Sequence, residues 1–289
     1  MKIIIPNLPI PIFFDIIQCL ETTKHMMGIE PLFWNVEAKS MMDMFDESKP
    51  NIIFIHESQL DKSFDIISNE YNFKYILFTS NEKVVEPLVK KPNLILTLPL
   101  QRQNFSTNNN IMNVKPIVKV AQIHNAHYSP KLISEVLVNT TQVINDDNFQ
   151  QVLAFLIDNY KTKIIGDQPV PFLHYLGETN IFERANFIKS AQVVVDFSLQ
   201  EILDAAYLNI PSISSHQFNN SFLHFTSTTE LKQQIDSLLH NQLIRKQYIN
   251  NIRDVAMNNT SYHFASEIFN KINEAPIAQT LLTYIEEGL

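Results

Sequence analysis

Four polar side chains, Asp196, Ser198, Glu201 and Asp204, fall within nine residues directly after the apolar run Val193, Val194, Val195. A run of β-branched residues is expected for a strand covered on both faces, and the polar residues begin where that strand would end. Ser198 and Glu201 spell S-x-x-E, a capping box, which predicts a helix from about Leu199. Ligands of doubly wound sheets sit beyond the carboxyl ends of the strands, against helix N-termini whose free N–H groups attract anions. The segment therefore places Asp196, Ser198, Gln200 and Glu201 beside a phosphate-binding point. Asp204 either shares a ligand-facing side of the helix with Glu201 or lies on a solvated face.

Three further groups have chemistry to offer. His56 and Glu57 follow the apolar stretch 52–55, so either could serve as a general base for an acceptor hydroxyl, the alternative being a structural strand end. In residues 123–131, IHNAHYSPK, a strand at 117–123 would deliver His124, Asn125, His127 and Lys131 to an interdomain cleft; the bland reading is a polar surface loop. Two histidines three apart lack a third partner nearby, and no metal site is expected. Arg184 could neutralise a phosphate or pair with Glu183 or Asp167.

These groups need elements to position them. Strands are expected at 2–5, 31–36, 51–55, 75–79 and 93–97, with helices beginning near Ile12, Ala38, Leu60 and Asn81. Such alternation argues for a parallel sheet with crossover helices. Residues 101–113, QRQNFSTNNNIMN, are polar and aperiodic and read as a linker. Beyond it, strands are expected at 117–123, 142–144, 163–165, 174–176, 193–195 and 212–214, with helices at 130–138, 149–159, 182–189 and 199–208. A helical tail spans 229–287, broken before its last segment by Pro276. The fold class is α/β, with two Rossmann-like parallel-sheet domains, 1–113 and 114–289, the second carrying the helical C-terminal tail.

Composition narrows the functions. At 289 residues, 45% hydrophobic and 18% charged, the chain is globular. It has no apolar run of membrane-spanning length and no signal-peptide pattern at its start, so a cytoplasmic protein without a membrane span is expected. A net charge of −8 disfavours non-specific binding to nucleic acid. The single cysteine, Cys19, excludes an internal disulfide and reads as core. Only four glycines are present, so neither G-x-G-x-x-G nor a Walker A loop can be built, and phosphate contacts must come from ordinary amides, hydroxyls or cations. Residues 7–11, after the first strand, lack the glycines that permit close approach to the backbone, which counts against an active enzyme.

The second half resembles the donor-binding domain of GT-B glycosyltransferases, in particular the spore-maturation type found in bacteria and viruses. The matching phrases follow in family order: residues 164–166 like a strand ending in Gly, 175–178 (YLGE) like Y-x-G, 187–195 like y-x-x-a-d-v-v-v, 204–212 (DAAYLNIPS) like E-A-x-A-x-G-x-P, and 225–257 like the closing helices. Asp204 stands where the family has Glu and Asn209 where it has Gly; Asn tolerates the left-handed conformation such a turn needs. Asp196 and Asp204 have the separation of the family's E-x7-E pair.

The resemblance implies a transferase that takes a sugar from a nucleotide-diphosphate donor held in the second half. No cofactor or metal is implied, since helix N-termini and one or two cations would stabilise the leaving group. It puts Gly177 in the donor loop, makes Lys131 a candidate diphosphate ligand, and makes Asp204 a ribose ligand. The acceptor, a glycan, a protein or a modified nucleic-acid base, would be held by the first half. A GT-B-like scaffold without activity, used for binding or assembly, is the alternative, and an epimerase or pyruvyl transferase on the same fold is a third reading.

Overall fold

The computed structural model describes residues 1–8, 10–79, 81–97, 110–140, 149–197 and 201–287. The chain divides into two compact units, Met1–Lys115 with Ser261–Leu289, and Pro116–Thr260.

In the first unit, apolar runs bounded by polar turns become β1 (Lys2–Pro6), β2 (Glu30–Trp34), β3 (Ile52–His56), β4 (Lys74–Phe78), β5 (Leu94–Thr97) and β6 (Ile111–Asn113). They form one sheet in the order β2-β1-β3-β4-β5-β6, parallel throughout. Three helices connect the first four strands: α1 (Pro11–Met27), α2 (Met41–Ser48) and α3 (Lys62–Glu70). Pro11 opens α1 and Gly28 closes it at φ 61°, the proline-first, glycine-last asymmetry expected of a helix. The helix expected near Asn81 is only a 3-10 turn, Glu82–Val84. Of the expected linker, 101–109 lie outside the described residues, while Ile111–Asn113 pairs with β5.

The second unit opens differently from expectation. Residues 117–123 are not a strand: Val118 makes one isolated bridge to Thr260, and α4 (Val120–Ile123) follows. Residues 130–138 are not a helix either. The Ser129–Pro130 start signal yields a single 3-10 turn, Pro130–Leu132, after which SEVLVN forms β7 (Ser134–Asn139). Its Val136, Leu137 and Val138 are fully buried against Val193, Val194 and Val195, and burial of β-branched residues on both sheet faces outweighs the local helix signal.

The rest of this unit comprises α5 (Phe149–Asn159), β8 (Thr162–Ile165), α6 (Ile181–Ser190), β9 (Ala191–Asp196), α7 (Ile202–Tyr207), β10 (Ser212–Ser214), β11 (Leu223–His224), α8 (Thr228–His240) and α9 (Gln242–Met257). The sheet order is β11-β10-β9-β7-β8, again parallel. Residues 174–176 contribute one bridge, Ile164 to Tyr175, rather than a strand, and the strand expected at 142–144 lies outside the described residues.

The helical tail is shared between the units. Leu231, Ile235 and Leu238 of α8 and Ile252 of α9 are buried in the core of the second sheet. The second unit ends at Thr260 rather than at the C-terminus, because α10 (Ser261–Lys271) and α11 (Ala275–Glu286) pack on α1. Lys74 of β4 fastens this end by an ion pair to Glu274 (2.7 Å) and a hydrogen bond to the Ile272 carbonyl (2.8 Å). Pro276 sits in the first turn of α11, where a missing N–H costs nothing. Cys19 is fully buried, and desolvation pushes its thiol up to about 12. Among the described residues no helix is long and apolar enough to cross a membrane.

Candidate functional site

The carboxyl ends of the second sheet bring polar groups together. In the ladder Asn139 lies opposite Asp196, and Asp196 opposite Ser214, so three neighbouring strands each end on a buried polar residue. The Asp196 carboxylate accepts the Glu201 N–H (3.1 Å) and its carbonyl accepts the Ser215 N–H (3.0 Å), which holds the entry to α7 over the strand end. Thr140, next after β7, donates its N–H (2.7 Å) and hydroxyl (3.0 Å) to the Ile165 carbonyl. Beyond β8, Gly166 at φ 133° donates to the Gly177 carbonyl (3.2 Å), and the Tyr175 hydroxyl donates to the Gly166 carbonyl (2.8 Å). Gly177 itself takes φ 99°, a conformation an L side chain rarely adopts.

Arg184 and Glu201 meet here. Asn180 caps α6 at this end of the sheet, and its first turn presents Arg184, whose guanidinium is ion-paired and hydrogen-bonded to Glu201. The two side chains are 14% and 2% exposed. Glu201 is therefore not the capping-box residue expected from S-x-x-E: α7 starts only at Ile202, with no side-chain cap. Ser198, like Leu199 and Gln200, lies outside the described residues. Glu183 completes the cap of α6 instead of pairing with Arg184. The Arg184 Nε and the nearby Thr179 Oγ1 are shut off from solvent without a partner.

Asp204 is corrected from ribose ligand to interior anchor. It is 1% exposed, and its carboxylate accepts the Lys119 N–H (3.2 Å) at the start of α4. The turn after α7 does form as expected: Asn209 takes φ 63°, the left-handed conformation assigned to the family's glycine.

His124, Asn125, His127 and Lys131 are exposed and lie at the wrong end of the sheet for a donor pocket. They precede β7 instead of following a strand. The His127 N–H is bound by Asn186 (2.9 Å), and the Ser129 N–H by Ser190 (2.9 Å), the residue just before β9 begins. Lys131 offers its carbonyl to Lys163 (2.8 Å). The six-residue strand β9 separates this loop from Asp196 by about 16 Å at ~3.3 Å per residue.

Sequence reasoning missed Asn139 and Thr140 because most of β7, which ends at Asn139, was read as a helix over 130–138, and it missed Ser214 and Ser215 although the strand at 212–214 was expected, because nothing local marks its end as facing the same side as Asp196. Beside Ser215 lies a cavity of about 440 Å³, lined also by Gln151, Phe225, Thr226 and Thr228 and flanked by the first turns of α5 and α8. Ser227 caps α8 through the Glu230 N–H (3.2 Å), and the Glu230 carboxylate in turn accepts the Thr226 N–H (2.9 Å) and hydroxyl (3.0 Å), contacts that hold its carboxyl below the usual range.

In the first unit, His56 ends β3, but its Nδ1 accepts the Ser58 N–H (3.2 Å) and lies 2.8 Å from the Ser58 hydroxyl. Together with the Gln59 side chain, which accepts the His56 N–H (2.9 Å), this closes the capping box of the 3-10 turn Glu57–Gln59. His56 is a cap. Glu57 keeps a carboxylate at the same strand end, hydrogen-bonded by the Thr79 hydroxyl. No cluster of three His, Cys, Asp or Glu able to hold a metal occurs among the described residues.

No family model and no curated protein sequence matches the chain. Solved structures do. A glycosyltransferase from Rickettsia africae superposes with a TM-score of 0.64 at 11% identity, covering 95% of this chain and 98% of that one. Anabaena Alr3699/HepE, solved with UDP and glucose, gives 0.61 at 11% identity over 94% and 99%. A protein assigned as a UDP-N-acetylglucosamine 2-epimerase from Listeria monocytogenes gives 0.60 at 10% identity over 95% and 98%. At this identity the likeness establishes the fold, two Rossmann-like units of the GT-B type with a helical C-terminal segment.

Proposed function

We propose that the second unit binds a nucleotide-diphosphate sugar and that the protein is a metal-independent glycosyltransferase. One observation carries the reading: at the carboxyl end of the second sheet, where α/β folds take their ligands, Arg184 Nε and Thr179 Oγ1 are buried without partners. A buried donor without a partner costs about 1–3 kcal/mol, and a ligand oxygen would relieve it. The fold is shared with a protein that holds UDP and glucose. Gly177, Arg184, Asp196 and Glu201 remain the donor-side residues, with Arg184 oriented by Glu201. Asn139, Ser214 and Ser215 join them. Glu57 is the general base proposed for the acceptor hydroxyl.

Isothermal titration and thermal shift with UDP, GDP and their nucleosides test this. Thr179→Val, an isosteric loss of one hydroxyl, should weaken nucleoside-diphosphate binding about 2- to 10-fold, the worth of one neutral hydrogen bond. Lys131→Ala should leave it unchanged.

The second reading, a GT-B-like scaffold without transfer activity that serves binding or assembly and has lost the nucleotide pocket, is favoured by the neutralisation of Arg184 by Glu201 and the burial of Asp204. A wild-type protein that responds to neither nucleotide at millimolar concentration would decide for it.

A further inference from the structure

Thr79 directly follows β4 and is 1% exposed, yet its hydroxyl serves a residue of another strand end. Its N–H donates to the Leu96 carbonyl (3.1 Å), which ties its backbone to β5. Its Oγ1 accepts the Asn81 N–H (3.0 Å) and donates to Oε2 of Glu57, 22 residues earlier. The other acceptor within reach, the Asn81 carbonyl, is neutral and farther away at 3.3 Å. A hydroxyl has one hydrogen to give and a carboxylate makes the stronger bond, so the hydrogen goes to Glu57. Asn81 N–H, Thr79 O–H and Glu57 thus form a chain in which each bond polarises the next.

Glu57 is fixed from its other side by backbone. It opens the 3-10 turn capped by His56 and Gln59, and its carbonyl accepts the Leu60 N–H (3.2 Å). The Thr79 bond falls on Oε2, and among the described residues Oε1 has no such bond. Glu57 is half-buried whereas Thr79 is closed off, so of the two only the carboxylate can meet a ligand.

We infer that Thr79 is a positioning residue that aims Oε1 of Glu57 at the acceptor hydroxyl. The inference rests on the transferase reading above, in which Glu57 is the general base. In that reaction the acceptor hydroxyl gives its proton to Oε1 and its oxygen forms the bond to the anomeric carbon. The bond from that carbon to the diphosphate oxygen breaks, and its electron pair leaves on the nucleoside diphosphate. Thr79 touches neither substrate; it sets the direction from which Oε1 meets the hydroxyl, which proton transfer within hydrogen-bond reach requires.

Release of nucleoside diphosphate by the full chain tests it, with UDP-glucose, UDP-N-acetylglucosamine and GDP-mannose as donors and water or methyl α-D-glucopyranoside as the acceptor hydroxyl. Thr79→Val, an isosteric exchange, and Thr79→Ala both remove the hydroxyl, and Thr79→Ser keeps it. Losing the hydroxyl should lower kcat roughly 10-fold or more, the worth of one hydrogen bond to a carboxylate, with the donor KM within about 2-fold of wild type. Thr79→Ser should recover most of the rate. Glu57→Gln sets the ceiling, a loss of ~100- to 10,000-fold. Independently of turnover, the γ-methylene protons of Glu57 should have separate NMR shifts in wild type and Thr79→Ser, where the carboxylate is held in one rotamer, and merge in Thr79→Val.

A Thr79→Val protein with wild-type kcat where Glu57→Gln is impaired overturns the inference and leaves the transferase reading standing. So does a Thr79→Ser protein as slow as Thr79→Val, or a pair of γ-protons that stay separate in Thr79→Val. Turnover indifferent to Glu57→Gln would remove the base, and the role of Thr79 with it, from a protein that is still a transferase. No turnover of any donor by the wild type would sink the transferase reading and this inference together.

Discussion

Replacing Arg184 by alanine would strip Glu201 of its counter-charge at a position where the carboxylate is 2% exposed and the guanidinium 14%. Water cannot take over at the first site and can partly do so at the second. Breaking a buried pair from the cationic side should therefore cost about 3–5 kcal/mol, which at roughly 2–4 °C per kcal/mol for a chain of this size lowers the melting temperature by about 6–20 °C. Glu201→Gln leaves an amide able to accept from the guanidinium and an Arg nearer to solvent, so its cost should stay within about 1–2 kcal/mol. The double variant Arg184→Met with Glu201→Leu removes both charges and should melt within a few degrees of wild type, because the desolvation of the ions disappears with their attraction. Urea and thermal unfolding followed by far-UV circular dichroism give all three numbers. If Arg184→Ala and Glu201→Gln are equally mild, the pair is solvated and the account of a closed, pre-set guanidinium fails.

Other perturbations probe the frame around that pair. Asn209→Ala should cost about 1 kcal/mol in urea denaturation, because its φ of 63° disfavours a side chain without a compensating polar group, whereas Asn209→Gly should be neutral or slightly stabilising. Tyr248→Phe removes the hydroxyl that donates to the Ser212 carbonyl and accepts the Leu223 N–H (3.0 Å), and should lower stability by about 1–3 kcal/mol without touching the core volume. Alkaline pH should unfold the protein. Cys19 has its ordinary 9.0 raised to about 12 in the fold, so its contribution is complete below pH 9 and is lost between 9 and 12, at about 1.4 kcal/mol per pH unit. In the native protein the same thiol should resist a disulfide reagent at pH 8 and react once urea unfolds the chain.

Whether a residue belongs to the site depends on which end of a parallel strand it occupies, and that explains what could be read before the fold was known. Most of the first unit was legible because its first five strands are short apolar runs bounded by polar or turn residues, so Ile52–His56 and Leu94–Thr97 appear within a residue or two of expectation, whereas β6 is hidden in a polar, asparagine-rich stretch. Asn209 was legible because backbone conformation is a local property. The start of the second unit was not. Ser129–Pro130 is a good helix opening and Val120 extends an apolar alternation, so local rules favour a strand followed by a helix, while burial between β8 and β9 makes SEVLVN the strand. That exchange carries His124, Asn125 and Lys131 from the carboxyl end to the amino end and delivers Asn139 and Thr140 in their place. Arg184 and Glu201 are 17 residues apart, with β9 between them, so no spacing rule could pair them. Ions that meet only through a strand crossover are properties of the sheet order, and it is the same order that brings the unpartnered Arg184 Nε to the carboxyl end of the second sheet.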